Sequence, residues 1–440
     1  MAGLLHDSLR LSLSSYQQAS GWCVAFSGGL DSTVLLHSLA MYAERFPCPP
    51  LRAIHIHHGL QAVADDWPAH CAAVCAALGI PLQVVYVAVD GQASAERAAR
   101  DARYQAFAAS LQPGEVLMLG QHQDDQAETL VLRLLRGAGV AGLQAMPLSR
   151  ELAAGSLLRP LLAVSRQQLK AYAEQHGLNW VEDPSNQADD YDRNFLRNRV
   201  MPLLQQRWPA VGPVLQRTAG HMQEAQQLLA ELALQDLQQV QTNMRTGNLE
   251  LPALRLDLVR QLSLARQKNM LRHWLADKGR AADTAHWQGW QDLLNAARGS
   301  EPLWQLEHGV LQRYRQLAYW IPDDWRAKPQ PLQLTINAQG TYPLGNNGRL
   351  HVRQLPAPVV VGYRQGGECM QLPGRGQRDL KRLLQEHGVA PFLRQRLPLL
   401  FARGELVAVA GLPALRADGW QQLQLDWELM QSGGFFPSSV

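Results

Sequence analysis

Apolar positions in the first 200 residues fall into short unbroken runs, separated by alanine-rich stretches with a helical period. The runs at 23–26, 52–57, 82–87 and 116–120 are predicted as strands, and the stretches at 69–77, 95–109 and 127–136 as helices. Strands that are apolar throughout and alternate with helices predict a parallel sheet covered on both faces. Such sheets bind ligands beyond the carboxyl ends of their strands, near the switch in strand order. Ser27-Gly28-Gly29-Leu30-Asp31-Ser32, His57-His58-Gly59 and Gln121-His122 each follow a predicted strand, so the pattern gathers them at one edge.

The pattern changes near residue 213. Segments 222–242 and 258–278 are rich in Gln and Leu and carry the period of amphipathic helices, while Trp274, Trp287, Trp290 and Trp304 read as core. A proline-rich break from Ile321-Pro322 to Pro331 reads as a linker. Beyond it, 332–336, 350–352 and 406–410 are predicted as short strands, with Gly345-Asn346-Asn347-Gly348 as a turn. A chain of 440 residues exceeds a single core. The expected class is α/β: an N-terminal Rossmann-like parallel-sheet domain (1–212), a helical domain (213–325), and a small mixed α/β or mostly β C-terminal domain (332–440).

Composition narrows the class without naming a chemistry. Hydrophobic residues at 46% and charged residues at 18% describe an ordinary folded chain. No apolar run reaches about 18 residues and no signal-type start is present, so a cytoplasmic protein without a membrane segment is expected. The five cysteines are few, odd in number and scattered, which argues against a disulfide framework; Cys71 and Cys75 read as one buried helix face. A net charge of +3 neither demands nor excludes nucleic acid, but its distribution is uneven. Residues 364–403 hold eight basic side chains (Arg364, Arg375, Arg378, Lys381, Arg382, Arg394, Arg396, Arg403) against three acidic ones, the footprint expected of an RNA-binding module.

The turn after the first strand carries the sharpest chemistry. Two glycines before a helix allow backbone N–H groups and the positive helix end to converge on one spot, which suits phosphate. Ser27, Ser32 and Thr33 add hydroxyls, and Asp31 places a carboxylate where a phosphate-bridging Mg2+ would sit. No Gly-Lys-Ser or Gly-Lys-Thr follows, so a Walker-type γ-phosphate enzyme is disfavoured. A second motif reads His122-Gln123-Asp124-Asp125-Gln126-Ala127-Glu128-Thr129. Acidic residues in a first helical turn serve as a cap, but a histidine before two carboxylates at a strand end can also orient an amine, bind phosphate or hold a divalent ion. Arg100 and Arg103 share a helix face. His55, His57 and His58 lack the neighbouring Cys or acid that would complete a metal site.

SGGLDS matches the SGGxDS loop of the PP-loop ATP pyrophosphatases, which transfer AMP to an acceptor. AIHIHHGL at 53–60, ARDARY at 99–104, HQDDQAET at 122–129, RLLRGAGVAGLQAM at 133–146, RPLL at 159–162, DPSN at 183–186 and RNFLR at 193–197 follow in order. With GECMQLPGRGQRDLKRLLQEHGV at 367–389, the chain resembles the bacterial tRNA(Ile)-lysidine synthetases; Gln121 departs from the histidine that many relatives carry.

The resemblance implies a PP-loop first domain that binds ATP with Mg2+ through Ser27, Gly28, Gly29, Leu30, Asp31 and Ser32, with Asp31 on the metal. It implies adenylation of the wobble cytidine at C2 in a CAU-anticodon isoleucine tRNA, then attack by the amine of free L-lysine, giving lysidine, AMP and pyrophosphate. Asp31, Arg103, His122, Asp124 and Asp125 form the expected catalytic set. Either aspartate of the pair can bind the lysine ammonium or accept its proton, as can a neutral His122. Glu128, Asn186, Arg193, Asn194 and Arg197 are expected to face substrate or tRNA, with Arg375, Arg378, Lys381 and Arg382 on a distant part of the tRNA. A homodimer is compatible with the sequence. A tRNA cytidine thiolase is the alternative, although this chain has no C-x-x-C pair. A non-catalytic nucleotide- or tRNA-binding protein would tolerate loss of the three aspartates.

Overall fold

A computed structural model describes residues 2–57, 59, 65–87, 95–246, 249–276, 278, 287–297, 299–330, 332 and 334–429. It divides into two compact units, Met1–Gln227 and Leu228–Val440. His58 lies outside the described residues, as does the side chain of Asn186.

In the first unit α1 (Ala2–Leu13) precedes β1 (Gly21–Ala25), α2 (Leu30–Ala43), β2 (Leu51–His57), α3 (Trp67–Ala77), β3 (Leu82–Tyr86), α4 (Ala95–Ser110) and β4 (Glu115–Met118). Then follow α5 (Gln123–Leu135), α6 (Val140–Leu143), the hairpin β5 (Ser149–Leu152) and β6 (Gly155–Leu158), α7 (Arg166–Gln175), α8 (Asp192–Phe195) and α9 (Met201–Arg207). The sheet runs β3-β2-β1-β4-β6-β5, parallel except for β5 at its edge. The parallel sheet predicted from the apolar runs is observed. Successive residues of β1 serve opposite faces: Trp22 and Val24 join one apolar cluster, Cys23 another with Ile54, Leu117 and Leu157. Each fully buried side chain of this size contributes about 1.5–3 kcal/mol, which is why strands without polar alternation are stable only here. The strand order reverses between β1 and β4, so the crevice beyond their carboxyl ends is the switch point.

The boundary between units falls within α10 (Val211–Val240). The second unit opens with the antiparallel sheet β7 (Gln241–Thr246), β8 (Leu249–Arg255), β11 (Leu317–Pro322), β10 (Gly309–Tyr314) and β9 (Leu303–Leu306), in that spatial order. Helices Leu256–Val259, Leu264–Trp274 and Trp287–Asn295 accompany it, and Trp274, Trp287, Trp290 and Trp304 are all core. The region predicted as helical therefore holds a five-stranded sheet as well. Its strands, four to seven residues long and joined by tight turns such as Arg315 (φ +56°), lie between helical segments whose period dominates the pattern. The stretch read as a linker carries a helical turn, Asp323–Arg326, whose Trp325 is buried.

Beyond it, Leu334–Ile336, Val359–Gly362, Leu399–Ala402 and Glu405–Val409 form one antiparallel sheet, and Gly340–Pro343, Arg349–Gln354 and Gln424–Glu428 another. The hairpin Cys369–Leu372 and Gly376–Asp379 leads into helix Leu380–Glu386. The mixed, mostly β end predicted from its patterning is observed. Among the described residues no helix is long and apolar enough to cross a membrane.

Candidate active site

The glycine turn is built by its own hydroxyls. Ser32 Oγ lies 3.0 Å from Ser27 Oγ and donates to the Gly29 carbonyl at 3.0 Å, while Thr33 Oγ1 donates to the same carbonyl at 2.9 Å. Gly28 has φ +84°, and a Cβ there would stand 3.1 Å from both Cys71 Sγ and Val181 Cγ2. Any side chain would be strained and crowded. Across the crevice a Cβ on Gly120 would lie 3.0 Å from the Asp31 carbonyl carbon and the Ser32 nitrogen, so the end of β4 is pressed against the first turn of α2. That approach brings the two motifs together. Leu30 is buried at the start of α2, and Asp31, one-third exposed, has an Oδ1 that is itself buried and lacks a hydrogen-bond partner.

Opposite stands α5, which begins four residues earlier than expected. His122 is its N-cap: Nδ1 faces the Asp124 N–H at 3.2 Å, and Asp125 Oδ2 accepts from the His122 N–H at 3.1 Å. This is a capping box with histidine in place of Ser or Thr. The ring is 2% exposed and sits among three carboxylates, with Nε2 3.5 Å from both Asp31 Oδ2 and Asp125 Oδ2 and Nδ1 3.5 Å from Asp124 Oδ2. Burial opposes the imidazolium, and the Asp124 N–H favours a neutral Nδ1. Three negative charges outweigh both, and the pKa rises to about 10. Asp124 and Asp125 are correspondingly held below the usual carboxylate range: burial works against this, but His122 and, for Asp125, Arg193 and Arg197 overcome it. Asp124 also accepts from the Arg166 N–H at 2.8 Å, tying α5 to the first turn of α7.

Arg193 and Arg197 point inward. Arg193 donates to Glu128 Oε2 at 3.0 Å and Asp125 Oδ1 at 2.9 Å; Arg197 donates to Glu128 Oε1 at 2.7 Å and Asp125 Oδ1 at 2.9 Å. Glu128, with a side chain 3% exposed, is thus gripped by two guanidinium groups. The two arginines straddle the junction between α8 and a π-helical turn, Leu196–Val200, whose Leu196 packs with Ala127 and Met201. Such a wide turn is typical of functional positions. Asn194 donates to the carbonyls of Ser185 and Ala188, each at 2.9 Å, and so fixes the turn that Asp183 caps.

The remaining expected residues lie elsewhere. Arg103 is exposed on α4 and makes no contact with the His122 group among the described residues. His55 is buried with Nδ1 2.8 Å from the Phe26 carbonyl. In the second unit Arg375 and Arg382 both pair with Glu386, while Arg378 and Lys381 are exposed. Arg396, counted in the basic segment, is buried and spends its guanidinium on the carbonyls of Trp325, Ala327 and Asn346.

Among the described residues no three His, Cys, Asp or Glu side chains form a closed metal set. The bare Asp31 oxygen nevertheless fits Mg2+, which takes one or two protein carboxylates and completes its shell with water and phosphate oxygens.

Residues 5–204 match the family model of a PP-loop domain, residues 254–319 that of the TilS substrate binding domain, and residues 359–427 that of the TilS substrate C-terminal domain. A tRNA(Ile)-lysidine synthase of Pseudomonas aeruginosa is 52% identical over 433 residues, covering 96% of this chain and 97% of its own. One from Escherichia coli O157:H7 is 43% identical, with 88% and 91% covered. Among solved structures, a U34-tRNA thiolase of Methanococcus maripaludis covers 51% of this chain and 80% of its own, at 16% identity and a TM-score of 0.43.

Proposed function

The chain belongs to the tRNA(Ile)-lysidine synthase family, and on that premise we propose a division of labour among its residues. The enzyme uses ATP to ligate free lysine to C2 of the wobble cytidine in a CAU-anticodon isoleucine tRNA. ATP enters the SGGLDS turn with its pyrophosphate on the backbone N–H groups of Ser27 to Ser32. Asp31 holds Mg2+, which when bound neutralises charge on the phosphates. The C2 oxygen of the cytidine attacks the α-phosphate and pyrophosphate leaves; the lysine amine then attacks C2, and the C2–O bond breaks to release AMP.

The observation that carries this reading is the meeting of His122 with Asp31 at 3.5 Å, which joins the nucleotide turn to the carboxylate helix. An imidazolium at that place answers the charge that builds on phosphate in the first step. The three carboxylates around the ring favour its charged form, which leaves the amine proton to a carboxylate. Asp124 and Asp125 supply that acceptor and the counter-charge for the lysine ammonium, Asp124 being one-third open to the crevice. Glu128, Arg193 and Arg197 hold Asp125 in place, Asn194 shapes the adjoining turn, Asn186 is assigned to substrate or tRNA, and Arg103 reaches the α-phosphate from α4. Arg375, Arg378, Lys381 and Arg382 grip the tRNA away from the reacting base.

Thiolation is disfavoured by the cysteines themselves. No C-x-x-C pair is present, and burial pushes Cys23 and Cys71 up to about 12 and Cys75 up to about 11, so these three offer no thiolate. The test incubates the protein with ATP, Mg2+, labelled lysine and the CAU-anticodon isoleucine tRNA transcript, with a methionine tRNA alongside. Label should enter the isoleucine tRNA only. No incorporation would sink the reading, and entry of labelled sulfur instead would establish the thiolase.

A further inference from the structure

The same edge of the sheet carries a second concentration of charge that the synthase chemistry does not use. Tyr104 of α4 lies under two guanidinium groups, that of Arg100 at 5.6 Å and that of Arg150 at 5.2 Å from its ring centroid. Arg100 and Arg150 are both exposed, and among the described residues no carboxylate is bonded to either. Glu151 follows Arg150 on a strand, so its side chain leaves from the opposite face.

Behind this group stand two more arginines, bonded to carbonyl oxygens and, for Arg159, to Tyr104 as well. Arg159 donates to Gln121 Oε1 at 2.5 Å and to the Pro147 carbonyl at 2.7 Å; Arg133 donates to the carbonyls of Gly142 and Ala145 at 2.8 and 2.7 Å. Burial lowers the pKa of both, and the charge of Arg100 lowers each further, with Arg150 adding to the effect on Arg159. Among the described residues the arginines thus reinforce one another's positive potential, offset at Arg159 only by Tyr104.

Its place is fixed by the sheet. Arg150 is one residue in from the end of β5 that pairs Ser149 with Leu158, the carboxyl end of β6. Arg159 follows β6 directly, and its partner Gln121 adjoins His122. The cluster thus flanks the His122 site on the side away from the SGGLDS turn.

We infer that Arg100 and Arg150, ordered by stacking on Tyr104, form a phosphate-binding platform for the RNA backbone of the tRNA beside the nucleotide to be modified. Planar guanidinium groups held on an aromatic ring lose little entropy when they bind phosphate, and they keep their donor edges free. Contacts of this kind place the strand without reading its sequence. The inference rests on the synthase reading for the identity of the RNA, and on the free arginines for the site.

The experiment measures tRNA binding by filter retention, and separately the steady-state constants for tRNA, ATP and lysine, over a series of KCl concentrations. Arg150→Gln should weaken tRNA binding and raise its KM about tenfold, the usual worth of one charge-assisted contact, with the KM values for ATP and lysine unmoved. The slope of log K against log salt should flatten by about 0.7–0.9, and by roughly twice that in Arg100→Gln/Arg150→Gln. Arg150→Lys should restore most of the slope but not the affinity, because it keeps the charge and loses the plane. Arg45→Gln, an exposed arginine at the end of α2, should change neither. A rise in the KM for ATP instead would assign these arginines to the triphosphate and overturn the inference, as would unchanged tRNA binding. If the wild-type protein binds tRNA but incorporates no lysine, the synthase reading fails while the filter assay still decides the platform.

Discussion

The carboxylate–guanidinium network around Asp125 and the basic segment at 364–403 are made of the same residue types and differ in what surrounds them. In the first, Glu128 and His122 are almost wholly buried, every charge has a named partner, and the positions are set by helix ends and a π-helical turn. In the second, Arg378 and Lys381 stand in water, and two neighbours share one exposed glutamate. Buried charges cannot move without leaving a partner uncompensated, so the first arrangement is preorganised for chemistry. Exposed ones act through a screened field, suited to holding a polyanion in many nearly equal poses. Charge count alone therefore does not separate a catalytic cluster from a gripping surface, whereas burial does.

Four substitutions would sharpen or break that contrast. Asp125→Asn should be the most damaging, lowering lysine incorporation by about 10^3-fold or more, with tRNA binding by filter retention little altered. Activity above a tenth of wild type would place the proton acceptor elsewhere.

Arg197→Met should act on the fold before the chemistry. It strands Glu128 with one guanidinium instead of two, at a cost of about 3–5 kcal/mol, read as a fall of roughly 10 °C in Tm by calorimetry. A Tm within a degree or two of wild type would mean that the network is dispensable to the fold.

His122→Gln tests the imidazolium. The folded pKa is raised above the unfolded value, so its stabilisation is complete below pH 6.5 and is lost as pH climbs through about 10. Denaturant titrations should show wild type losing on the order of 2–4 kcal/mol across that window, and the variant staying nearly flat. Asp124 and Asp125, whose pKa values are lowered, contribute above their unfolded values and lose that contribution only as pH falls through the depressed ones.

The smallest effect is expected in the second unit. Arg378→Gln/Lys381→Gln should raise the KM for tRNA a few-fold and flatten its salt dependence by about 1–2, with kcat and Tm unchanged. A drop in kcat would show that this surface reaches into the chemistry.

Much of this was legible in the chain. Unbroken apolar runs can only be strands buried on both faces, and the glycine turn after the first of them needs no partner to be recognised. The role of His122 was harder to see because caps are sought among Ser, Thr, Asp and Asn, yet the His-x-x-Asp spacing of a capping box was present at 122 and 125. The inward turn of Arg193 and Arg197 was not legible: an Arg-rich helix end has the same sequence whether it meets solvent or a buried glutamate 65 residues away. Arg396 hid for the same reason, since its partners are backbone carbonyls that leave no trace in composition. The strands of the middle sheet lie between helical segments, and the helical period on either side hid their alternation.

The wide turn at Leu196–Val200 carries a consequence for how sequences of this kind can change length. A turn closed one residue later than an α-helical one is an insertion that the helix has absorbed, and each residue of a helix advances about 100° around its axis. Deleting one position there and restoring the ordinary winding would keep Arg193 nearly in phase with Met201, because the five residues of the wide turn cover about the arc of four α-helical ones. Substitutions along this segment can be judged by what each side chain touches. A one-residue deletion would instead change the spacing inside the turn, and with it the direction of Arg197 towards Glu128 and Asp125.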